Sequence, residues 1–402
     1  MVTFAVQYLE NVPGVAAIAP GDARTKLHVA FELLPISYVL LGWNLPEPLV
    51  SACREEVAQA GAQFFRWHPL LTGDGTFVPQ PEWQTIGLQG EPVPGFQSMP
   101  EFTFVCPNRS EVREAVLNHL HQVMQRGDYD GVFLDRIRYP SPAADPARWL
   151  ACFCDDCYRT ASEAGLDLEA ARRRIGQLLA TPQRIQSFVQ VLLGPRASES
   201  TDPDIALLSA FLDFRARSVD RFVRAAADLI HAEGLTVALD CFSPALTRMV
   251  GQDLGALGDC GEWTKVMTYG HTLGPAGLPF EILNLADWLI EKQQASELQA
   301  LEWLSRATRL SLPHSRAELR AHGLAPTALL AEIGQARAAG IRKLLAGIEL
   351  VEIEGMAHLD QEQIEADLRA LYMAGADGLV LSWDLWHIPL ERLQLVSAIW
   401  TQ

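Results

Sequence analysis

The apolar positions of this chain fall into short runs separated by longer amphipathic segments. Short apolar runs are typical of strands buried on both faces, and a 3.6-residue apolar repeat is typical of helices. Strands are predicted at residues 36–41, 62–67, 102–105, 131–135, 235–239, 264–267, 343–348 and 378–381. Helices are predicted at residues 48–59, 110–126, 206–233, 326–339, 360–374 and 389–400. This alternation predicts an α/β fold, a closed parallel (β/α)8 TIM barrel.

The alternative fold is an open, doubly wound parallel sheet. No Gly-x-Gly-x-x-Gly segment follows any predicted strand, which argues against the dinucleotide-binding version of that sheet.

Two connections, 141–205 after strand four and 270–325 after strand six, are longer than usual. We interpret both as insertions in one barrel domain, 36–402. We interpret residues 1–35, which precede the first predicted strand, as an N-terminal extension.

Composition narrows the class of protein. The 402 residues are 49% hydrophobic and 20% charged, which suits one barrel with a large core. The net charge of −17 argues against a nucleic-acid partner. No uninterrupted apolar stretch approaches the roughly 18 residues of a membrane helix, and the N-terminus does not resemble a signal peptide. We therefore expect a cytoplasmic protein with no membrane partner, of undetermined oligomeric state.

The end of strand four carries the strongest chemical signal. An apolar run over residues 132–134 stops at Asp135, and Arg136, Arg138 and Tyr139 follow. Charged residues at the C-terminal end of a buried parallel strand lie where a barrel keeps its active site. The alternative is that Asp135 and Arg138 form a structural ion pair.

Three further predicted strands end in a carboxylate. These residues are Asp240, Glu349 and Asp384. Strand ends converge at one mouth of a barrel, and glycoside hydrolysis needs two carboxyl groups, one protonated and one ionised. We predict Asp135 as the nucleophile or transition-state stabiliser and Glu349 as the acid/base, with Asp240 as the substitute for either. Asp384 could equally cap the helix that follows it.

Aromatic and hydrogen-bonding residues accompany these carboxylates. Sugar rings stack on aromatic side chains, and sugar hydroxyl groups need polar partners. The predicted substrate-binding residues are Trp43, Trp67, His68, Arg138, Tyr139, Tyr269, His271, Trp383 and Asp384. Core packing is an alternative explanation for each of the aromatic residues.

Two segments resemble a known family. Residues 104–113 and 131–140 are similar to the C-P-x-x-P-x-V-R and D-G-V-x-L-D-x-I-R-Y-P motifs of the family-10-like glycosyl hydrolases of bacteria, although Ser110 stands where that pattern often has Pro. Residues 267–271 and 378–383 look like strands six and eight of the same family. The resemblance implies a barrel with a carbohydrate substrate and supports Asp135, whereas Asp240 and Glu349 rest on strand-end position.

The cysteines suggest a structural metal. Cys152, Cys154 and Cys157 form a C-x-C-x2-C segment, and Cys106 ends predicted strand three, next to strand four. Four thiolates are a typical tetrahedral zinc site, and the spacing resembles zinc-carrying β-galactosidases, which also use an upstream cysteine. Such zinc would hold the 141–205 loop, and no cofactor is expected for the chemistry. The alternative is a reduced cluster without metal.

Two other functions remain open. One is a non-catalytic carbohydrate-binding barrel, which would show no turnover on glycans. The other is a metal-dependent hydrolase using the acidic residues with His68 or His271 as ligands, which would lose activity with a chelator.

Overall fold

The computed structural model describes residues 2–10, 18–195, 200–357 and 359–401. Eight parallel strands pair in chain order, and β1 also pairs with β8, so the sheet closes into a barrel. The strands are β1 Thr3–Tyr8, β2 Ile36–Leu41, β3 Gln63–Pro69, β4 Gly131–Asp135, β5 Thr236–Cys241, β6 Trp263–Met267, β7 Leu344–Glu349 and β8 Gly378–Ser382. The predicted (β/α)8 TIM barrel is confirmed.

Helices surround the barrel and also fill its two longest connections. In chain order they are α1 Pro20–Leu33, α2 Glu47–Ala60, α3 Ser110–Arg126, α4 Pro146–Trp149, α5 Asp155–Glu163, α6 Leu168–Leu179, α7 Ile185–Leu193, α8 Pro203–Ala232, α9 Leu254–Gly258, α10 Leu278–Glu291, α11 Glu297–Thr308, α12 Arg316–His322, α13 Pro326–Ala338, α14 Gln361–Met373 and α15 Leu390–Trp400. The connection after β4 carries α4–α7, and the one after β6 carries α10–α12. Within the described residues, no helix is both long and apolar enough to span a bilayer.

The described residues before β2 are part of the barrel, so the interpretation of 1–35 as an extension was wrong for them. They contain β1, which pairs with both β2 and β8, and α1. The sequence of β1, TFAVQY, includes the polar residue Gln7, which interrupts the apolar run expected of a buried strand. Gln7 is buried inside the barrel because its side chain oxygen accepts hydrogen bonds from Lys265 and Ser382.

The strand predicted at residues 102–105 is not a barrel strand. Val105 makes only an isolated bridge with Gln84, within the long connection between β3 and α3. The apolar run is there because Phe104 and Val105 pack into the core under this connection. The sequence prediction therefore missed β1 and added a strand at 102–105. The other seven predicted strands correspond to β2–β8.

The barrel interior is filled by large apolar side chains. One cluster takes inward-facing residues from all eight strands: Ala5, Leu40, Phe65, Trp67, Phe133, Ala238, Trp263, Leu345 and Val380. The Phe133 and Trp263 rings stack with their centroids 5.5 Å apart. A barrel filled in this way has no pore, so chemistry is confined to the end where the strands finish in polar residues.

Candidate active site

Asp135, the last residue of β4, lies at the C-terminal end of the barrel and is 7% exposed. Its carboxylate accepts hydrogen bonds from the indole Nε1 of Trp67, at 3.0 Å, and from the backbone N–H of Arg136. Trp67 stands on the neighbouring strand β3 and faces the barrel interior. Two donors from adjacent elements therefore hold the Asp135 carboxylate in one orientation.

Asp240 lies on β5, next to β4, and is almost fully buried. Its Oδ2 accepts a hydrogen bond from the ammonium of Lys265 at 2.9 Å, while its Oδ1 has no partner in the described part of the chain. Burial raises the pKa of Asp240 to about 7; the charge of Lys265 opposes this rise and that of Asp135 adds to it. Asp135 and Asp240 thus form a carboxyl pair in electrostatic contact, one of them titrating near neutrality.

Lys265 stands on β6 within a buried polar network. Its Nζ also donates to the side chain oxygen of Gln7 at 3.0 Å and lies 5.2 Å from the centre of the Tyr269 ring. Ser382 donates to the same oxygen of Gln7 at 2.6 Å. Burial favours the neutral amine, but the charge of Asp240 and the contact with Tyr269 outweigh it and raise the pKa of Lys265. Lys265 is therefore a fixed positive charge at the carboxyl pair.

Two arginines that follow β4 frame the mouth of the barrel. The Arg136 guanidinium lies over the rings of Trp43, at 5.3 Å, and Phe102, at 4.5 Å, and its Nη1 donates to Thr72. The Arg138 guanidinium lies between the rings of Phe104 and Phe242 and donates to the carbonyl oxygen of Tyr139.

The charge of Arg138 acts on several acids around it. Burial lowers the pKa of Arg138 to about 10, while the carboxyl groups of Glu281, Asp135 and Asp240 oppose that shift. Arg138 therefore interacts with Glu281 and Asp240 as well as with Asp135, which is a wider role than the ion pair with Asp135 considered from the sequence.

Glu10 is a further acid at the mouth that sequence reasoning missed. It follows β1, and burial raises its pKa to about 7; the charges of Arg136 and Lys265 lower this value, and those of Asp384 and Asp135 raise it. Glu10 therefore faces the same group of charges as the carboxyl pair. The sequence signal for it is weak: the apolar run of residues 4–9, which precedes this carboxylate, is interrupted by Gln7.

Asp384 has a structural role after β8. Its carboxylate accepts hydrogen bonds from the backbone N–H groups of Leu9, Glu10 and Trp386, at 2.9, 3.1 and 2.9 Å. It thereby ties the end of β1 to the turn after β8. This matches the capping alternative for Asp384 rather than direct contact with a sugar.

Glu349 ends β7 but takes part in a different network. Its carboxylate accepts a hydrogen bond from the backbone N–H of His271 at 2.6 Å, and the His271 ring pairs with Asp367 of α14 at 2.8 Å. Burial raises the pKa of Glu349 to about 7; His271 lowers it and Asp367 raises it. Among the described residues, no hydrogen bond joins Glu349 or His271 to Asp135 or Asp240, so Glu349 belongs to a separate network.

The predicted binding aromatics are mostly buried. Trp43 and Trp67 pack edge to face, with centroids 5.2 Å apart, and Tyr269 packs against Trp383 in the same way, at 6.2 Å. Trp383 is the half-buried member of this set. Tyr139 is 1% exposed and lies under the Arg215 guanidinium, away from the carboxyl pair.

His68 lies on the opposite side of β3 from the barrel interior. Phe65 and Trp67 face inward, so Arg66 and His68 alternate with them toward the surrounding helices. His68 is buried beside Asp74 and His119. It is therefore not at the mouth where it was predicted to bind substrate.

The structure brings together the four cysteines predicted to bind metal. Cys106, Cys152, Cys154 and Cys157 are buried and unoxidised, and their sulfur atoms all lie within 4.8 Å of one another. The Sγ of Cys106 is 3.4 Å from that of Cys157 and 3.6 Å from that of Cys154. In a tetrahedral zinc site, each sulfur lies about 2.3 Å from the metal, and the sulfur atoms therefore lie roughly 4 Å from one another. The four cysteines fit such an ion.

Two hydrogen-bond donors outside the cluster contact its sulfur atoms. The backbone N–H of Ile86 donates to the sulfur of Cys152, and the side chain amide of Asn108 donates to that of Cys157, each at 3.3 Å. Hydrogen bonds from the other cysteines lower the pKa of Cys154, whereas burial raises the pKa of Cys106. Donors to sulfur are common around metal-bound thiolates, because they stabilise the negative charge.

No protein family model matches the chain, and no curated protein sequence matches it either. The resemblance to family-10-like glycosyl hydrolases therefore rests on the quoted segments alone.

Solved structures do share the fold. The glycoside hydrolase domain of PgaB (BpsB) from Bordetella bronchiseptica is similar with a TM-score of 0.53 and 12% identity, over 98% of each chain. The β-galactosidase of Halorubrum lacusprofundi gives 0.58 and 14%, and that of Marinomonas ef1 gives 0.56 and 13%, each over 99% of this chain. This chain spans 57% and 59% of those two β-galactosidases. At such identities the likeness is one of fold: this chain has the barrel that these glycoside hydrolases use.

Proposed function

We propose that the protein is a glycoside hydrolase that cleaves an oligosaccharide or glycoside with Asp135 and Asp240. The observation that carries the proposal is the carboxyl pair itself: one carboxylate is held by two donors, and the other has a free oxygen and a pKa of about 7. Glycoside hydrolysis needs two carboxyl groups in different protonation states. The barrel glycoside hydrolases with the same fold support this reaction class.

The two carboxyl groups take different roles in this proposal. Asp135 accepts hydrogen bonds on its carboxylate and acts as the nucleophile or stabilises the positive charge that develops on the sugar. Asp240 carries its proton on Oδ1, because Oδ2 is already bound to Lys265, and donates it to the leaving oxygen. Glu10 is the second candidate acid, since it meets the same charges and has a similar pKa.

This assignment replaces Glu349, the acid/base predicted from strand-end position. In the proposal Glu349 positions the segment after β6 through the backbone of His271. Glu349 is also a useful control, because it is as buried as Asp240 and burial raises its pKa to a similar value.

Substitutions on aryl glycosides test the pair. Asp135→Asn should lower kcat/KM by on the order of 10³-fold or more, because the carboxylate is lost at the reacting centre. Asp240→Asn should impair substrates with poor leaving groups more than activated ones, since activated leaving groups depart without a proton. Glu349→Gln is the matched control and should affect both substrates equally and mildly.

Circular dichroism of each variant checks that folding is retained. A folded Asp135→Asn protein with near-normal turnover would contradict the proposal. A wild-type protein that binds glycans but turns over none would favour the carbohydrate-binding barrel instead.

We also propose that the four cysteines hold one structural zinc ion. The carrying observation is that the segment 152–157 and Cys106 place four sulfur atoms within 4.8 Å of one another. The ion would join the connection before α3 to the insertion after β4, and no cysteine would act on the substrate.

Metal analysis tests the zinc site. Protein purified without chelators should carry zinc at this site with sulfur ligands at about 2.3 Å by X-ray absorption. Cys154→Ser should release that ion and speed proteolysis within residues 146–193, because the insertion loses its attachment. Cys53→Ser, a buried cysteine outside the cluster, is the control and should keep the metal. Sulfur-bound zinc retained in full by Cys154→Ser would rule the site out.

A further inference from the structure

A second group of metal-binding side chains lies between β3 and the helix layer. His68 comes from β3, Asp74 from the connection that follows, and His119 from α3. One nitrogen of each histidine and one oxygen of Asp74 lie within 4.8 Å of one another. The group is on the helix side of β3, separate from the mouth of the barrel and from the cysteine cluster.

His68 is the member of this group whose ring nitrogens lack hydrogen-bond partners among the described residues. Its side chain is 1% exposed. The His68 and His119 ring centroids are 5.6 Å apart, with the planes inclined at 35°. Buried polar groups are nearly always satisfied, because an unpaired one has lost its hydrogen bonds to water without gaining a replacement. A ligand beside His68 would supply the missing interaction.

Asp74 and His119 are held in place next to it. Asp74 Oδ1 accepts hydrogen bonds from the backbone N–H groups of Thr76 and Phe77 and from the Thr76 hydroxyl. This leaves Oδ2 facing His119 Nε2 at 2.8 Å, and the His119 ring stacks on Phe77. Ligand distances of about 2.0–2.2 Å allow an oxygen and a nitrogen 2.8 Å apart to bind one ion.

Arg66 is the group that competes with a cation here. Its guanidinium lies 3.5 Å from Asp74 Oδ2 and also donates to the carbonyl oxygen of Gly42 at 2.9 Å. Its positive charge weakens the attraction of Asp74 for a metal. The site therefore depends on the two imidazoles. Imidazole nitrogens bind Zn²⁺ and similar transition-metal ions, whereas Ca²⁺ and Mg²⁺ bind mainly oxygen ligands.

We propose that His68, Asp74 and His119 bind one divalent transition-metal ion such as Zn²⁺, which fastens the connection after β3 to α3. The site is enclosed, so the ion is structural and takes no part in the reaction proposed for the mouth.

Zinc titration of metal-depleted protein tests the site. Zn²⁺ alone is added to the full chain, and bound metal is counted by calorimetry and elemental analysis. Asp74→Asn keeps the oxygen that Thr76 and Phe77 bind and can still hydrogen-bond His119 through its amide, so a purely structural network would survive. We expect Asp74→Asn to bind one ion fewer per chain than the wild type, or to bind it at least about tenfold more weakly.

Two further variants make the result decisive. His68→Gln should show the same loss, while His231→Gln, an exposed histidine paired with Glu262, should bind as the wild type does. The comparison counts the difference between variants, so it holds whether or not the cysteine cluster carries its own ion. Equal zinc binding by the wild type, Asp74→Asn and His68→Gln would overturn the proposal and leave a hydrogen-bonded network.

Discussion

At the scale of single residues, the two members of the carboxyl pair differ in which atoms hold them. Asp135 is held by neutral donors, whereas Asp240 is paired with the ammonium of Lys265. Burial disfavours the charge on Asp240 and Lys265 favours it, and burial is the larger effect. Lys265 is therefore a positioning residue that sets how readily Asp240 carries a proton.

The pH dependence of activity should report the pKa of Asp240, which burial raises and Lys265 lowers. If Asp240 is the proton donor, kcat/KM should fall as pH rises through about 7, the pKa of its buried carboxyl. Lys265→Met removes the charge that holds this pKa down, so the alkaline limb should move to higher pH. The measurement is a pH profile of kcat/KM for both proteins on one substrate.

Lys343→Met is the matched control, because Lys343 contacts Tyr38 at the other end of the barrel. Its profile should coincide with that of the wild type. An alkaline limb that stays in place in a folded Lys265→Met protein would remove Asp240 from the role of proton donor.

At the scale of secondary-structure elements, β1 shows how a short segment can decide the architecture. It bonds to both β2 and β8, and Asp384 ties its last residues to the turn after β8. Without β1 the sheet would have two open edges with unpaired backbone groups. Glu10 would also be absent from the mouth.

Deletion of residues 1–35 is therefore expected to prevent folding rather than trim an accessory segment. The shortened chain should be insoluble or lack a cooperative thermal transition, which circular dichroism and size-exclusion chromatography would detect. Gln7→Leu, which removes only the polar network of β1, is the milder comparison and should fold with a lowered melting temperature. A shortened chain with a wild-type transition would show that β1 is dispensable.

At the scale of the whole molecule, several buried or partly buried acids lack enough positive charge to balance them. Burial raises the pKa values of Glu10, Asp240 and Glu349 to about 7 and that of Glu332 to about 8. An acid whose pKa is higher in the folded state binds its proton more tightly there. Its contribution to stability is full below the unfolded-state pKa and is lost as pH rises through the folded-state value.

The free energy of unfolding should accordingly decrease from about pH 5 to about pH 8. Glu332 is fully buried, accepts hydrogen bonds from Ser243 and the backbone of Ala245, and lies outside the mouth. Glu332→Gln keeps this geometry and cannot ionise, so its stability should depend less on pH, by on the order of a few kcal/mol across the range.

Urea unfolding at several pH values measures this effect. Glu365→Gln, a surface acid paired with Arg369, is the control and should keep the wild-type dependence. Parallel curves for Glu332→Gln and the wild type would show that Glu332 is not protonated in the folded protein.

The sequence by itself determined the fold class, most of the strands and the pairing of the cysteine segment with Cys106. Parallel strands buried on both faces must be apolar throughout, and this signal is local. It failed at β1, where Gln7 interrupts the run, and at residues 102–105, where an apolar run belongs to a loop that packs on the core.

Only the tertiary structure decided which strand-end residues meet. Asp135, Asp240 and Glu349 all lie at strand ends, yet Glu349 bonds to the segment after β6, whereas Asp240 bonds to Lys265 and is in electrostatic contact with Asp135. The direction of a side chain at a strand end depends on the turn that follows and on the partners it finds, which come from distant parts of the chain. The same holds for His68: strand alternation, once the register of β3 is known, turns it away from the mouth and toward His119.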